Sequence, residues 1–168
     1  MLKALDLFSG QGGATRGLQM AGYHVTGVDI DPQPRYIGDA FIQGDALTFD
    51  LDGYDLIWAS PPCQAYSELT PMEARADHPD LIDPIRTRLK AQTAPWIIEN
   101  VAGARRKLHN PFMLCGSMFG LDVWRHRYFE SVPRIFDLLP PCAHRRYPIT
   151  VHSGSHTRKT FAPILCTG

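Results

Sequence analysis

Apolar residues fall into short runs separated by polar, glycine-bearing punctuation, and the spacing within the runs alternates between two periods. Ala4 to Phe8 is an apolar run interrupted only by Asp6, of the length of a buried strand. Gly13 to Ala21 sets Ala14, Leu18 and Ala21 on one face of a helix, and His24 to Asp29 returns to strand character, which makes a β-α-β unit. The same reading predicts a third strand over residues 39–45, a fourth over 54–59, the end of a helix over 86–92, and a fifth strand over 95–101 around Trp96-Ile97-Ile98. Asn110-Pro111 reads as the cap and first turn of a helix running through Met118 and stopping at Gly120, and Arg127 to Val132 as a last strand. Strands alternating with helices predict a mostly parallel, three-layer α/β sheet that binds ligands at the carboxyl ends of its strands. From Leu138 onward, prolines at 140, 141, 148 and 163 and glycines at 154 and 168 break every regular pattern. The expected organisation is one domain over residues 1–132 followed by a proline- and glycine-bearing tail over 133–168.

Composition adds an asymmetry that the pattern does not show. The chain of 168 residues balances 17 basic against 17 acidic side chains. Residues 1–60 hold only Lys3, Arg16 and Arg35 against eight acids, so the first part carries five net negative charges and the remainder five net positive ones. After Leu138 there is no acid, while Arg145, Arg146, Arg158 and Lys159 gather with three histidines. A basic second half suits a polyanion, and a solvated charged face would have the same composition. The four cysteines (63, 115, 142 and 166) form no C-x-x-C pair and follow no secretory signal, which predicts a reduced, cytoplasmic setting. No apolar run reaches membrane-spanning length, so no membrane partner is expected. Cys142-x-His144 with His152 and His156 resembles half a zinc site, but the spacing fits no common ligand pattern and no metal is assigned.

Two segments carry candidate chemistry. Phe8-Ser9-Gly10-Gln11-Gly12-Gly13 is a glycine turn between the first strand and helix, where a ligand can approach the backbone closely. It is not G-x-G-x-x-G, since Thr15 stands where the third glycine would fall, which disfavours pyrophosphate. Asp29 and Asp45 end successive strands, where carboxylates can meet a ribose and an adenine amino group; each alone would more often be an ordinary turn residue or helix cap, and it is the two together that point to an adenosine moiety. In Ala59-Ser60-Pro61-Pro62-Cys63-Gln64 the paired prolines restrict the backbone before a thiol at a strand end. That is a nucleophile's setting, although an isolated free cysteine is most often a small core residue.

Taken in order, Asp6-Leu7-Phe8-Ser9-Gly10-Gln11-Gly12-Gly13, Pro61-Pro62-Cys63-Gln64, Glu99-Asn100-Val101 and Arg125-His126-Arg127 make the chain resemble the DNA (cytosine-5)-methyltransferases. The resemblance runs from residue 1 to about residue 132. It implies a class I S-adenosylmethionine-dependent methyltransferase fold, Rossmann-like and apparently C-terminally abbreviated, and transfer of a methyl group from S-adenosylmethionine to carbon 5 of cytosine in DNA. S-adenosylhomocysteine would be the product, and restriction-modification a plausible setting in a prokaryotic or phage-infected cell. By motif position, Phe8, Ser9, Gly10, Gly12, Gly13, Asp29, Ile30, Asp45, Ala46 and Pro61 would form the cofactor pocket. Gln64, Ser67 and Asn100 would contact the substrate. Carbon 5 of cytosine is a poor nucleophile until a thiolate adds to carbon 6, which gives Cys63 the nucleophile's role and Glu99 that of the acid at ring nitrogen 3. Glu99 near Ile98 and Val101 should have its pKa raised by desolvation, unless it is a salt-bridged structural residue. Arg125 and Arg127, two apart and so on one face of an extended segment, could contact the flipped base or its phosphate and favour the thiolate. The family usually has glutamine where this chain has Val123. The polar loop from Gln64 through Asp83 is long enough to close over a nucleotide, and a target atom inside a duplex demands base flipping.

The family's target-recognition domain and two further motifs have no counterpart before Gly168, so recognition would come from a partner or another segment. The alternative function is a truncated or inactive methyltransferase-like domain that binds nucleic acid. Amino-methyltransferases fit less well, because they place an aromatic ring after the paired prolines. RNA cytosine-5 enzymes carry a cysteine where this chain has Glu99-Asn100-Val101. A free nucleotide remains open as a substrate.

Overall fold

The computed structural model describes residues 1–67, 70–135 and 140–144. Seven strands form one sheet: β1 (Lys3–Leu7), β2 (His24–Asp29), β3 (Ala40–Gln43), β4 (Leu56–Ala59), β5 (Trp96–Val101), β6 (Phe112–Leu114) and β7 (Arg127–Val132). Their order is β3-β2-β1-β4-β5-β7-β6. The first five run parallel, and β7 inserts antiparallel between β5 and β6. Helix α1 (Gly13–Met20) follows β1 and helix α2 (Ile82–Leu89) precedes β5.

Strand alternation sorts the core into two halves. On one face Leu5, Leu7, Val28, Ile57, Ala59, Trp96 and Ile98 bury against Ile82, Ile85 and Leu89 of α2. On the other, Ala4 and Val25 pack with Leu18 of α1, while Leu56 and Trp58 lie partly buried beside them. The result is the three-layer, mostly parallel arrangement expected. Among the described residues, no helix is long and apolar enough to cross a membrane.

A buried ion pair fastens the antiparallel end. Arg86 of α2, 4% exposed, grips Glu130 of β7, 3% exposed, through Nε–Oε1 and Nη2–Oε2, both 2.9 Å. Arg86 Nη2 also donates to the Lys107 carbonyl at 2.5 Å, and the His109 amide donates to Glu130 Oε2 at 2.8 Å. These extra bonds satisfy groups that burial would otherwise leave costly.

The structure departs from the sequence reading in three places. The third and fourth strands are shorter, and the helix whose end is read at 86–92 runs over Ile82–Leu89. The helix expected over 110–118 is absent. Asn110 takes φ 45°, Phe112–Leu114 is a strand paired with β7, and only a 3-10 turn at Gly116–Phe119 follows. Asn110 ends the preceding segment rather than capping a helix, and Phe112 stacks on Phe129 at 5.2 Å between centroids, so the three half-buried apolar residues pack as strand. Arg145, Arg146, His152, His156, Arg158 and Lys159 lie outside the described residues, as does Leu138.

Candidate active site

The glycine turn is built by backbone conformations that few side chains tolerate. Phe8, Gly10 and Gly12 have φ of 59°, 50° and 98°, and α1 begins at Gly13. A Cβ built on Gly10 or Gly13 would meet nothing within 4 Å, so the turn faces open space there. At Gly12 it would meet Ile37 Cγ1 at 2.8 Å, so that side is closed by the chain itself. Asp29 ends β2 with Oδ2 accepting the Gly10 amide at 2.8 Å and Oδ1 accepting the Asp31 amide at 3.1 Å, which ties the strand end to the turn. Asp45 lies exposed beyond β3, with Oδ1 accepting the Leu47 amide at 2.8 Å. Ile30 is 67% exposed beside Asp29, an apolar surface suited to a flat base, while Ala46 is buried and the Ser9 amide donates to the Val28 carbonyl at 3.1 Å. An open glycine turn, carboxylates at two successive strand ends and an exposed aliphatic side chain fit a nucleoside cofactor with no pyrophosphate.

Beneath the turn lies a buried acid. Asp6 accepts from Thr15 Oγ1 at 2.5 Å, and its Oδ1 has no hydrogen-bond partner among the described residues. Burial pushes its pKa up to about 6 despite the Thr15 bond.

Strand β4 delivers Pro61, Pro62 and Cys63 to a cleft of about 540 Å³ that runs from Gly13 past Cys63 and Gln64 to Glu99, Arg125 and Arg127. The turn carrying Cys63 is held from two sides. Asn100, 2% exposed, donates from Nδ2 to the Pro61 carbonyl at 3.0 Å, and its Oδ1 accepts the Val101 amide at 2.9 Å. Behind Cys63 the chain turns helically, with the Tyr66 and Ser67 amides donating to the Cys63 carbonyl at 2.9 and 2.8 Å. The Tyr66 carbonyl lies so close to Gly103 that any side chain there would overlap it. Asn100, expected beside the substrate, borders the cleft but uses its amide to position the turn. Gln64 is exposed at the cleft and Ser67 is half-buried on the turn. Residues 68 and 69 of the expected closing loop lie outside the described residues; its later part holds a 3-10 helix, Met72–Asp77.

Glu99 reaches the cleft from β5. Arg127 Nε donates to its Oε1 at 2.7 Å. Burial raises the Glu99 pKa above the usual carboxylate range, against the opposing pull of Arg127, a hydrogen bond from Ser60 and the charge of Arg125. Arg127 is held below its ordinary value by burial and by Arg125, with Glu99 and Cys63 acting in the other direction. Ser60 is in turn fixed by Trp58, whose Nε1 donates to its Oγ at 2.8 Å. The sequence reading missed Trp58 and Ser60. The available signal was strand alternation, which sets both on one face immediately before the paired prolines.

Cys63, Glu99, Arg125, Arg127 and Gln64 therefore meet in one cleft that opens onto Gly13. Outside it, Cys142 and His144, to which no metal is assigned from their local spacing, come together with Cys115 and His126.

Residues 2–113 match the family of C-5 cytosine-specific DNA methylases. The chain belongs to that family. A prophage-encoded E. coli protein described as a DNA modification methyltransferase has a similar structure, with 23% identity, TM-score 0.57, and coverage of 77% of this chain and 45% of that one. The Dnmt2 methyltransferase of S. pombe is similar over 78% of this chain and 48% of its own, at 21% identity and TM-score 0.51. The Entamoeba histolytica methyltransferase EhMeth is similar over 78% and 52%, at 15% identity and TM-score 0.53. The chain thus spans about half the length of these solved relatives. A search of curated proteins found no match. The fold is that of class I S-adenosylmethionine-dependent methyltransferases, with its strands in the order β3-β2-β1-β4-β5-β7-β6.

Proposed function

We propose that this domain methylates carbon 5 of cytosine in DNA through a covalent adduct of Cys63 at carbon 6. The observation that carries the reading is the convergence of Cys63, Glu99 and Arg127 in one cleft that opens onto the glycine turn. Phe8, Ser9, Gly10, Gly12, Gly13, Asp29, Ile30, Asp45, Ala46 and Pro61 would hold S-adenosylmethionine, which when bound would supply the electrophilic methyl group.

A flipped cytosine enters the cleft and Cys63 Sγ adds as thiolate to carbon 6, which sends electron density to carbon 5. Glu99, whose burial favours the protonated form, donates to ring nitrogen 3 and holds the exocyclic amine, so that the electrons displaced by the thiolate have somewhere to go. Arg127 neutralises the carboxylate that this proton transfer leaves behind. Once carbon 5 has gained the methyl group, water reaching the open cleft takes the carbon 5 proton, the ring double bond re-forms as Cys63 departs as thiolate, and ring nitrogen 3 returns its proton to the Glu99 carboxylate. Arg125, across the cleft mouth, suits contact with a flanking phosphate. The basic tail over 133–168, or a further segment or partner, supplies target recognition, and the setting is cytoplasmic.

Labelled methyl transfer from S-adenosylmethionine to cytosine-containing duplex DNA tests the reading, with free cytidine nucleotide as competitor. Cys63→Ser and Glu99→Gln should abolish transfer, and DNA bearing 5-fluorocytosine should form a stable adduct with the parent protein but none with Cys63→Ser. Undiminished transfer by Cys63→Ser would refute the mechanism. DNA binding without transfer by the parent would leave only a nucleic-acid-binding domain.

A further inference from the structure

Away from the cleft, two thiols and two imidazoles converge from three separate stretches of chain. Cys115 directly follows β6 and is 1% exposed, His126 immediately precedes β7, and Cys142 and His144 come from the segment at 140–144. One ligand atom from each lies within 4.8 Å of all the others. Cys142 Sγ is 3.0 Å from His144 Nε2 and 3.4 Å from His126 Nε2, and Cys115 Sγ is 3.4 Å from His144 Nε2. Around a tetrahedral zinc ion, sulfur and nitrogen ligands sit about 3.6 Å apart, as follows from Zn–S of about 2.3 Å and Zn–N of about 2.0–2.1 Å. The two 3.4 Å contacts are within a few tenths of an ångström of that figure, and the Cys142–His144 contact at 3.0 Å is shorter than it, so the four groups are gathered about as closely as ligands of one ion.

We propose that Cys115, His126, Cys142 and His144 form a structural zinc site. The donor set, two thiolates and two imidazoles, is one that zinc takes in closed four-ligand sites. Thiols are weak hydrogen-bonding groups, so their mutual contacts alone give little reason for four such side chains to face one point. The surroundings also orient the ligands. Ser117 Oγ donates to Cys115 Sγ at 3.3 Å, lies 3.4 Å from Cys142 Sγ, and accepts the Ala143 amide at 3.2 Å. The Trp124 ring stacks on His144 at 4.4 Å and 10°, which fixes the imidazole plane. Outer contacts of this kind set ligand direction at metal sites. Binding displaces one proton from each thiol and leaves a centre with no net charge. All four positions come from the protein, so the ion holds structure and does no chemistry on a substrate.

The site also bears on the cleft. His126 stands between Arg125 and Arg127, and alternation turns it away from the face that those two arginines present to Cys63 and Glu99. Zinc would clasp residues 140–144 onto the turn from Cys115 to His126 and so fix the start of β7, making His126 a positioning residue for Arg127.

Metal analysis of the full chain purified under reducing conditions should find close to one zinc per chain. Cys115→Ser and His144→Ala should reduce it to near zero, while Cys63→Ser keeps it. Because the first two variants could fail to fold, cobalt is also exchanged into the unaltered protein. Intense ligand-field bands of a tetrahedral ion together with thiolate charge transfer are expected. A folded, metal-free protein giving no such cobalt spectrum, a six-coordinate cobalt spectrum, or a Cys115–Cys142 disulfide under reducing conditions would each overturn the proposal.

Discussion

Replacing Asn100 by alanine separates holding the catalytic turn from touching the substrate. The side chain is 2% exposed and makes two bonds, Nδ2 to the Pro61 carbonyl at 3.0 Å and Oδ1 from the Val101 amide at 2.9 Å. Pro61 is buried, so its carbonyl loses a partner that water does not replace, which costs about 1–3 kcal/mol. The half-buried Val101 amide adds less, giving about 2–3 kcal/mol in all. For a chain of this size that lowers Tm by roughly 5–10 °C. Pro61 lies two residues before Cys63, and a displacement of about 1 Å at a reacting group costs about 100-fold in rate. Methyl transfer under single-turnover and steady-state conditions, alongside thermal unfolding, should show kcat reduced on that order with KM for DNA close to the parent value. Asn100→Asp keeps the acceptor for Val101 but sets an oxygen against the Pro61 carbonyl, and should be at least as damaging. A raised KM with kcat intact would make Asn100 a substrate contact. Lost stability with an unchanged rate would show that the paired prolines hold the turn unaided.

Two further outcomes concern buried charge. Arg86→Met leaves Glu130 buried with the His109 amide and the exposed His109 ring as its remaining polar partners among the described residues, and should destabilise by about 3–5 kcal/mol, read as a lower denaturant midpoint. Removing both charges with Arg86→Met and Glu130→Leu should recover much of that loss. Asp6, raised from 3.8 to about 6, favours the folded state while protonated; this stability is present below pH 3.8 and is lost as pH rises through about 6. Asp6→Asn should therefore gain on the parent across that window by about 3 kcal/mol, and a pH-independent difference between the two denaturation curves would contradict the burial argument.

The β-α-β opening was legible because local periodicity decides it: Ala4 to Phe8 and His24 to Asp29 are the right length for buried strands and flank a helix with one apolar face. Phe112-Met113-Leu114 was not, since three apolar residues after Asn-Pro suit a helix start equally well and only the distant β7 makes them a strand. The cleft residues Cys63, Glu99 and Arg127 could be named because each sits in a short motif at a strand end. The partners that position them could not. Asn100 meets Pro61, and Arg86 meets Glu130, through contacts set by sheet order and invisible to spacing along the chain. The Cys/His cluster is the clearest case. Judged by local spacing, Cys142-x-His144 lacks a second pair, and the missing ligands come from either end of the segment between β6 and β7.

The bond from Trp58 to Ser60 has a direction that cannot be reversed. An indole N–H only gives, so Ser60 receives at one lone pair of its oxygen and its hydrogen is free to go to Glu99, a bond that favours the carboxylate. Arg127 donates to Oε1 in the same way. While both neighbours donate, a proton carried by Glu99 takes a lone pair that neither of them claims. A tryptophan on β4 thus helps to set the aim of an acid one strand away.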